Sequence, residues 1–492
     1  MAGLDNGIIS TALTTINDSF QVSPSWGAWS ITIYTLGVAI SVPIIGKLSD
    51  NFGRKRLFLI EIFLFGLGSI LVAFSPNFTF LLISRFIQAI GGGGIFIIGS
   101  SYVLATLPKE KQGKALGLLG SMHGISALLG PNLGAVILQL TGSWQWMFLI
   151  NIPIAIFLII LGLLKINETK THETKPLGMV GTILLSAGIL SFMLGITRMD
   201  ATQFLASMSN PSIALYFVVG FIAFVLFIFN ERQVERRGGD PIFAYSLLTG
   251  RLFQVTLLLG LLSGGFLAGI IFIPSYVQQV LHVPVENAGF WLTPLALASG
   301  IGAGLGGYLT DKYGATKTVI FSGSIGMVGF FMFPLFVTDF WTFLVASLIA
   351  GVGLGILLGA PLNVLVGASA KKNAKGSALG ALSLVRQIGL TLFPTIFASF
   401  MTAGYTRLEP AVEYVYGEDV LVFNQEPASE ETLGSIKDQI ENIPDAELQA
   451  RLMDTISAIL KLGFDYMFIT SAILSFLVIV GGTYLHKRVK VK

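Results

Sequence analysis

The chain has 492 residues, 53% of them hydrophobic and only 12% charged, with a mean hydropathy of +0.78. Soluble globular domains carry roughly twice that charged fraction, so the composition excludes a single water-soluble core and requires many membrane spans. Cysteine is absent and the four histidines are scattered without an HExxH pattern, which leaves no basis for disulfides, thiolate catalysis or a metal centre, and the net charge of +3 decides little.

Apolar runs of about 20 residues, long enough to cross roughly 30 Å of hydrocarbon, recur along the chain. They predict spans near 3–20, 26–46, 57–75, 79–104, 115–140, 145–165, 177–197, 212–230, 253–280, 287–308, 318–337, 340–366, 376–402 and 463–485, fourteen in all. Backbone groups in lipid must be satisfied internally, so these are helices; a barrel would show alternating ten-residue strands. The first span starts abruptly, with only four residues before Asp5 and neither a basic n-region nor a cleavage site. It is therefore no signal peptide; either Met1 is an internal start or the first helix is short.

Between spans 2 and 3 lies Gly46-Lys47-Leu48-Ser49-Asp50-Asn51-Phe52-Gly53-Arg54-Lys55-Arg56. Asp50 suits the N-terminus of span 3, Arg54 can bond it, and Gly46 and Gly53 permit tight turns. Glu61 follows on span 3, about one turn beyond the basic cluster. It is either a second titratable site or a membrane-end residue paired with those bases. Arg85 sits inside span 4; a charge there costs a few kcal/mol or more, so it should face the interior with a partner, and Asp5 is the natural one. A carboxylate beside a guanidinium is held ionised while desolvation favours its protonation, so alternating access can load and release a proton. A static ion pair joining spans 1 and 4 is the plainer alternative.

The Gly91–Gly94 run and Gly351, Gly353 and Gly355 are not phosphate loops, because no strand precedes them and no GK[ST] follows. Small residues there let backbones approach and slide. His123 on span 5 either titrates near neutral pH or packs by hydrogen bonding. Gly130-Pro131, followed by Gly134, should kink that span. Arg386 on span 13 has no acidic partner in spans 9–13; backbone carbonyls, or an anionic group of a lipid or substrate, are its available partners, or it reaches the cytoplasmic surface by snorkelling. Tyr34, Asn132, Phe272, Tyr276, Gln279 and Trp291 put aromatic or polar groups on bundle helices and are candidate cavity residues. An apolar cavity with few polar groups suits bulky amphiphiles.

The loop motif returns as Gly307-Tyr308-Leu309-Thr310-Asp311-Lys312-Tyr313-Gly314, with Gly46, Leu48, Asp50 and Gly53 matched at one offset of 261 residues. Two structurally related halves follow, a transporter's architecture. The segment 403–462 is the one long loop, with twelve acidic residues from Glu409 to Asp454 against four basic ones. Ala446 to Leu462 reads as an amphipathic helix, and the loop as an outer cap. With the N-terminus inside, the inward loops and C-terminus hold 23 of the 30 basic residues and the outward loops five, so both termini are expected in the cytoplasm.

Four further signatures occur in order: Leu4-Asp5-Asn6-Gly7 to Leu13 in span 1, Arg85 to Gly94 in span 4, Gly130-Pro131-Asn132-Leu133-Gly134-Ala135 in span 5, and Trp144 to Pro153 opening span 6. Together with the repeated loop motif, they make the chain similar to the major facilitator superfamily, and more narrowly to its fourteen-span drug:proton antiporters of the EmrB/QacA type. The resemblance covers nearly the whole chain. It implies two six-helix bundles, 1–165 and 253–492, with two inserted helices and linkers at 166–252. It implies that Asp5 and Arg85 form the proton-coupling centre, with Glu61 and His123 as further candidates. It also implies that Gly46, Asp50, Gly53 and Arg54, with Asp311 in the second copy, latch the cytoplasmic side in the outward-open state. Ala315 and Thr316 replace Arg54 and Lys55 there, so the second latch should be weaker. Gly130, Pro131 and Gly134 would limit leak during exchange, although Ala135 stands where the motif usually closes on glycine. Relatives that export divalent cations tend to carry an extra carboxylate in the C-terminal bundle, absent from spans 9–13. The expectation is a multi-pass plasma-membrane exporter of neutral or monovalent lipophilic compounds, a monomer driven by the proton gradient. No cofactor, nucleic acid or enzymatic chemistry is expected. Export of a lipid or lipid precursor, or uncoupled facilitation, are the alternatives.

Overall fold

The computed structural model describes residues 2–169, 178–200, 204–371, 374–405 and 442–488, with isolated positions between 405 and 442. Among them there is helix and no strand. The long elements are α1 (Ala2–Phe20), α2 (Trp29–Phe52), α3 (Arg54–Ala73), α4 (Phe78–Gly93), α5 (Ile95–Thr106), α6 (Lys109–Thr141) and α7 (Asn151–Lys165). Then come α8 (Met179–Thr197), α9 (Pro211–Arg236), α10 (Arg251–Ile271), α11 (Ile273–Gln279), α12 (Leu292–Tyr313), α13 (Ala315–Phe336), α14 (Phe340–Gly359), α15 (Pro361–Ser369), α16 (Lys375–Tyr405) and α17 (Ala446–Arg488).

Each of the fourteen apolar runs falls on helix, but only twelve helices among the described residues are both long and apolar enough to cross a membrane. The other two are α1 and α6. Both are long enough, and α1 is polar in composition. The first carries Asp5 and Asn17, both buried, and the second opens on Lys109, Glu110, Lys111 and Lys114. In α1 polar groups turned inward lower hydropathy without exposing charge to lipid, so an average over a window misses it; the charges of α6 are exposed and confined to its first turns. The opposite pattern marks α7 and α9, where Phe157, Leu164, Phe221 and Phe229 stand outward as an apolar surface. A surface of that kind belongs against acyl chains.

Several predicted spans are interrupted, among them 145–165 at Ile150. Gly94 separates α4 from α5, Phe272 separates α10 from α11, and Ala360 separates α14 from α15, with Pro274 and Pro361 in the first turns of α11 and α15. Discontinuous helices with proline at the restart lack intrahelical hydrogen bonds at the break. Span 5 behaves otherwise. Its helix runs unbroken through Gly130-Pro131 from Lys109 to Thr141.

Helices α1 to α7 meet the later helices along two seams, α2 against α16 and α6 against α12. The pair α8 and α9 packs mainly on itself, and α8 also touches α2 and α16. Glycine sets the closeness of the packing. A Cβ on Gly351 or Gly355 of α14 would strike the backbone of Leu295 or Ser299 of α12, and one on Gly353 would strike Gly326 of α13. The alternating series therefore holds two neighbours at backbone distance, as small residues do in membranes. Gly355→Val should cost about 1–3 kcal/mol through overpacking. A lowered melting temperature of the purified protein is the expected readout.

Candidate functional site

The polar centre of the earlier helices is built from five of them. Asp5 on α1 and Arg85 on α4 are both fully buried, and Arg85 Nη1 donates to Asp5 Oδ2 at 2.5 Å. Gln88, one turn after Arg85, accepts from Arg85 Nη1 at 2.6 Å and donates through Nε2 to Asp5 Oδ1 at 2.9 Å and to Ser69 Oγ of α3 at 2.8 Å. Asn151, at the start of α7, donates to Asp5 Oδ1 at 3.5 Å and Ser69 Oγ at 3.4 Å. Arg85 Nε reaches the Ser30 carbonyl of α2 at 3.3 Å. The Tyr34 ring lies 4.3 Å and the Phe148 ring 5.6 Å from the guanidinium carbon. Two buried charges cost several kcal/mol each in desolvation, offset here by hydrogen bonds from three directions and two aromatic faces. Such a network ties α1, α3, α4 and α7 together around one ionic contact.

The predicted pairing of Asp5 with Arg85 is thus present. Gln88, Asn151 and Ser69 complete it, although sequence reasoning gave them no role. The signal for two of them was at hand, since Gln88 stands three residues after Arg85 in the span 4 signature and Asn151 lies in the signature that opens span 6. Tyr34, expected in a substrate cavity, belongs beside Arg85. The side chains of His123, Pro131 and Asn132 lie outside the described residues. Gly134 keeps two helices close, because a Cβ there would strike Thr11 and approach Ile8 of α1.

Glu61 does not pair with Arg54, Lys55 or Arg56. It is fully buried, and its Oε2 accepts from Gly94 N at 3.1 Å, at the break between α4 and α5. The reason is register: the same face of α3 packs on α4, so the carboxylate meets the free N–H groups that open α5. Removing that acceptor leaves a buried donor unsatisfied, so Glu61→Ala should cost about 1–3 kcal/mol and Glu61→Gln less. Thermal unfolding of the purified protein ranks the two.

At the other end of the helices, Asp50 does not cap the span that follows it. Gly53 has φ +102°, and the turn it makes leaves Asp50 on α2 directed across the seam. Its Oδ1 accepts from Arg54 Nη2 at 2.7 Å and Gly376 N at 3.1 Å, and its Oδ2 accepts from Ser377 N at 2.9 Å. The helix it caps is α16. The N-terminus of α3 is capped by Glu168, which accepts from Lys55 N and Arg56 N, each at 3.1 Å. Asp311 repeats the arrangement on the second seam, accepting from Gly113 N at 2.7 Å and Lys114 N at 2.8 Å in the first turns of α6. Carboxylates at helix N-termini answer both free N–H groups and the dipole. The Asp311 geometry matches that of Asp50, although it lacks the arginine. Gly46 makes no turn; it lies within α2, where a Cβ would strike the backbone of Gly376. Lys47 and Asn51 hold Asp240 of the segment after α9, at 2.5 and 2.7 Å.

The remaining cavity candidates do not converge with the Arg85 centre. Tyr276 is buried among Phe333, Phe343, Phe464 and Phe468, and Trp291 meets Phe340 and Phe343. Phe272 packs edge-on to Phe397, and Gln279 is buried at the end of α11. Ala446 to Leu462 is helical, as expected, and continues into the last span as α17; its Leu452, Ile456 and Leu460 are buried with Val412, Ile436 and Ile440. No group of three or more metal-ligating side chains occurs among the described residues.

The sequence pattern of the family described as "Major Facilitator Superfamily" matches residues 1–394. The chain is 58% identical over 484 residues to an "Uncharacterized MFS-type transporter YfiU" of Bacillus subtilis (strain 168), covering 97% of this chain and 93% of that one. It is 32% identical over 415 residues to "Multidrug resistance protein 3" of the same organism, covering 83% and 78%. Its fold is similar to the crystal structure of the human organic anion transporter MFSD10 (TETRAN), with a TM-score of 0.60, 14% identity and coverage of 98% and 96%.

Proposed function

The chain belongs to the Major Facilitator Superfamily, and on that premise we propose that it is a proton-coupled exporter of lipophilic or amphiphilic compounds. It is a transporter rather than an enzyme, and a multi-pass plasma-membrane protein. The observation that carries the coupling is the buried Asp5–Arg85 pair, bonded to Gln88 and linked to Asn151 through Asp5. A proton arriving at Asp5 removes the charge that holds Arg85. The helices bearing them, α1 and α4, are then free to change their mutual packing, and the cost of leaving Arg85 unpaired drives the proton's release on the other side.

In this reading α1 and α6 also cross the membrane, giving fourteen spans with both termini cytoplasmic. The bundles are 1–165 and 253–492, and the inserted pair occupies 166–252. Inward loops rich in Lys and Arg support that orientation. The carboxylates of Asp50 and Asp311 then close the cytoplasmic side, which makes the conformation outward-facing. Gly134 keeps α1 and α6 close enough to limit leak beside the coupling pair, in line with Gly130 and Pro131 of the same motif. His123 is a reserve proton site on α6. The proton gradient is the energy source, with no cofactor, and the working unit is the monomer. A relative named for multidrug resistance supports the substrate class.

Everted vesicles containing the protein, loaded with a pH gradient, test the reading directly. Adding lipophilic cations, amphiphilic anions or neutral drugs should release protons in proportion to the amount transported. Transport without proton movement would make the protein a facilitator; growth or envelope defects without transport of any compound would favour a lipid substrate.

A further inference from the structure

A half-buried arginine in the later helices has no ionic partner among the described residues. Arg386 lies eleven residues into α16, about 17 Å from the end carrying Lys371 and Lys375 at 1.5 Å per residue. That is close to the middle of a roughly 30 Å hydrocarbon core. Its Nε donates to Ser263 Oγ of α10 at 3.1 Å, and Ser263 is itself fully buried. Its Nη2 is buried with no hydrogen-bond partner among the described residues.

No ion pair among the described residues includes Arg386. Helices α10, α11, α13, α14 and α15 carry no Asp or Glu, and the one on α12, Asp311, is bonded to α6. On α17, Asp465 is paired with Lys461 at 2.7 Å. Arg85 likewise has an unpartnered buried Nη2, but it differs in having a carboxylate, two further acceptors and two aromatic faces.

The arginine is also one of the partly open positions of its helix. Between residues 374 and 402 no position of α16 is fully exposed, although many are partly open, whereas α9 is exposed along one side. Helix α16 lies in the seam between the halves, packed against α2 on one side and α10 on the other. A guanidinium is planar, permanently charged and shaped to take an oxyacid by two parallel hydrogen bonds.

We propose that Arg386, steadied by Ser263, is an anion-binding subsite at mid-membrane depth that takes the carboxylate, sulfonate or phosphate of an amphiphile whose apolar body lies along the seam between the halves. The subsite deepens the export reading and rests on it for the fate of the bound molecule. The anionic group belongs to a soluble amphiphile or to an anionic lipid.

The test is equilibrium binding to the full-length protein in phosphatidylcholine nanodiscs, with empty nanodiscs as blank. Three probes share one ring system: pyrene-1-sulfonate, pyrenemethanol and pyrenylmethylammonium. Wild type should bind the sulfonate at least about tenfold tighter than the ammonium compound, and Arg386→Gln should remove that preference while leaving the alcohol unchanged. Arg386→Lys should retain part of it. Replacing a fraction of the lipid by phosphatidylglycerol decides the source: competition with the sulfonate assigns the subsite to a lipid headgroup, and its absence to a soluble amphiphile. A wild type that does not prefer the sulfonate overturns the proposal. So does an Arg386→Gln protein, with wild-type melting temperature, that loses all three probes equally. Binding does not require proton coupling, so a chain that fails in vesicles can still pass here, and the reverse.

Discussion

Asp5→Asn is expected to reduce substrate-driven proton release to the level of vesicles without the protein, while folded protein is still recovered from the membrane. The asparagine keeps Oδ1 as an acceptor for Gln88 Nε2 and Asn151 Nδ2, so most of the network survives. What it loses is the group that takes a proton. Arg85 is left charged, with Gln88, the Ser30 carbonyl and the faces of Tyr34 and Phe148 around it, which softens the penalty of the missing carboxylate. Arg85→Ala should be worse for the fold, because it strands a fully buried carboxylate; breaking a buried pair from one side costs about 3–5 kcal/mol. The double change Asp5→Asn with Arg85→Gln should recover much of that stability and none of the proton movement. This ordering separates coupling from packing. If the pair were only a static tie between α1 and α4, the double variant would transport and release protons like wild type. Proton release that persists in Asp5→Asn would transfer the coupling to Glu61 or His123.

Much of this was legible in the sequence because its strongest signals are local. Apolar runs placed the long helices though not their breaks, and the repeated loop motif announced that Asp50 and Asp311 do the same work. Partners across the structure were not legible. Glu61 stands one turn beyond three basic residues, so a reading along the chain pairs it with them; the fold turns it to Gly94, thirty-three residues away. Asp50 looks like a cap for the next helix, yet a positive φ at Gly53 hands that cap to Glu168 and sends Asp50 to α16. Gln88 and Asn151 lay in view within the signatures of spans 4 and 6, but sequence spacing cannot say which helix faces meet. Helices α1 and α6 are the reverse case. By composition α1 is too polar for a membrane helix, and the buried partners of Asp5 explain why that polarity is tolerated; the charges of α6 sit only in its exposed first turns.

The two carboxylate contacts across the seams should set how readily the cytoplasmic side opens. Each aspartate accepts two backbone N–H groups from the start of a helix in the other half, and hydrogen bonds to a charged group are worth about 1.5–3 kcal/mol each. An asparagine has one acceptor oxygen where the aspartate has two, so one N–H loses its partner and the dipole loses its charge. A loss of about 1.4 kcal/mol is tenfold in an equilibrium. Asp311→Asn should therefore raise the open population about tenfold. Asp50→Asn should do at least as much, since it also releases Arg54, and the two together about a hundredfold if the seams act independently. The chain has no cysteine, so one introduced thiol reports without background. Ser49→Cys is suited to this: Ser49 is fully buried on α2, where a Cβ on Gly376 of α16 would lie 2.7 Å from its hydroxyl. The rate of maleimide labelling at residue 49 should rise in the order wild type, Asp311→Asn, Asp50→Asn, double variant. A control with Asp339→Asn, which caps α14 within its own chain segment and touches neither seam, should label like wild type. Equal rates in wild type and the double variant would mean that glycine packing along the seams, and not the two carboxylates, keeps the cytoplasmic side closed.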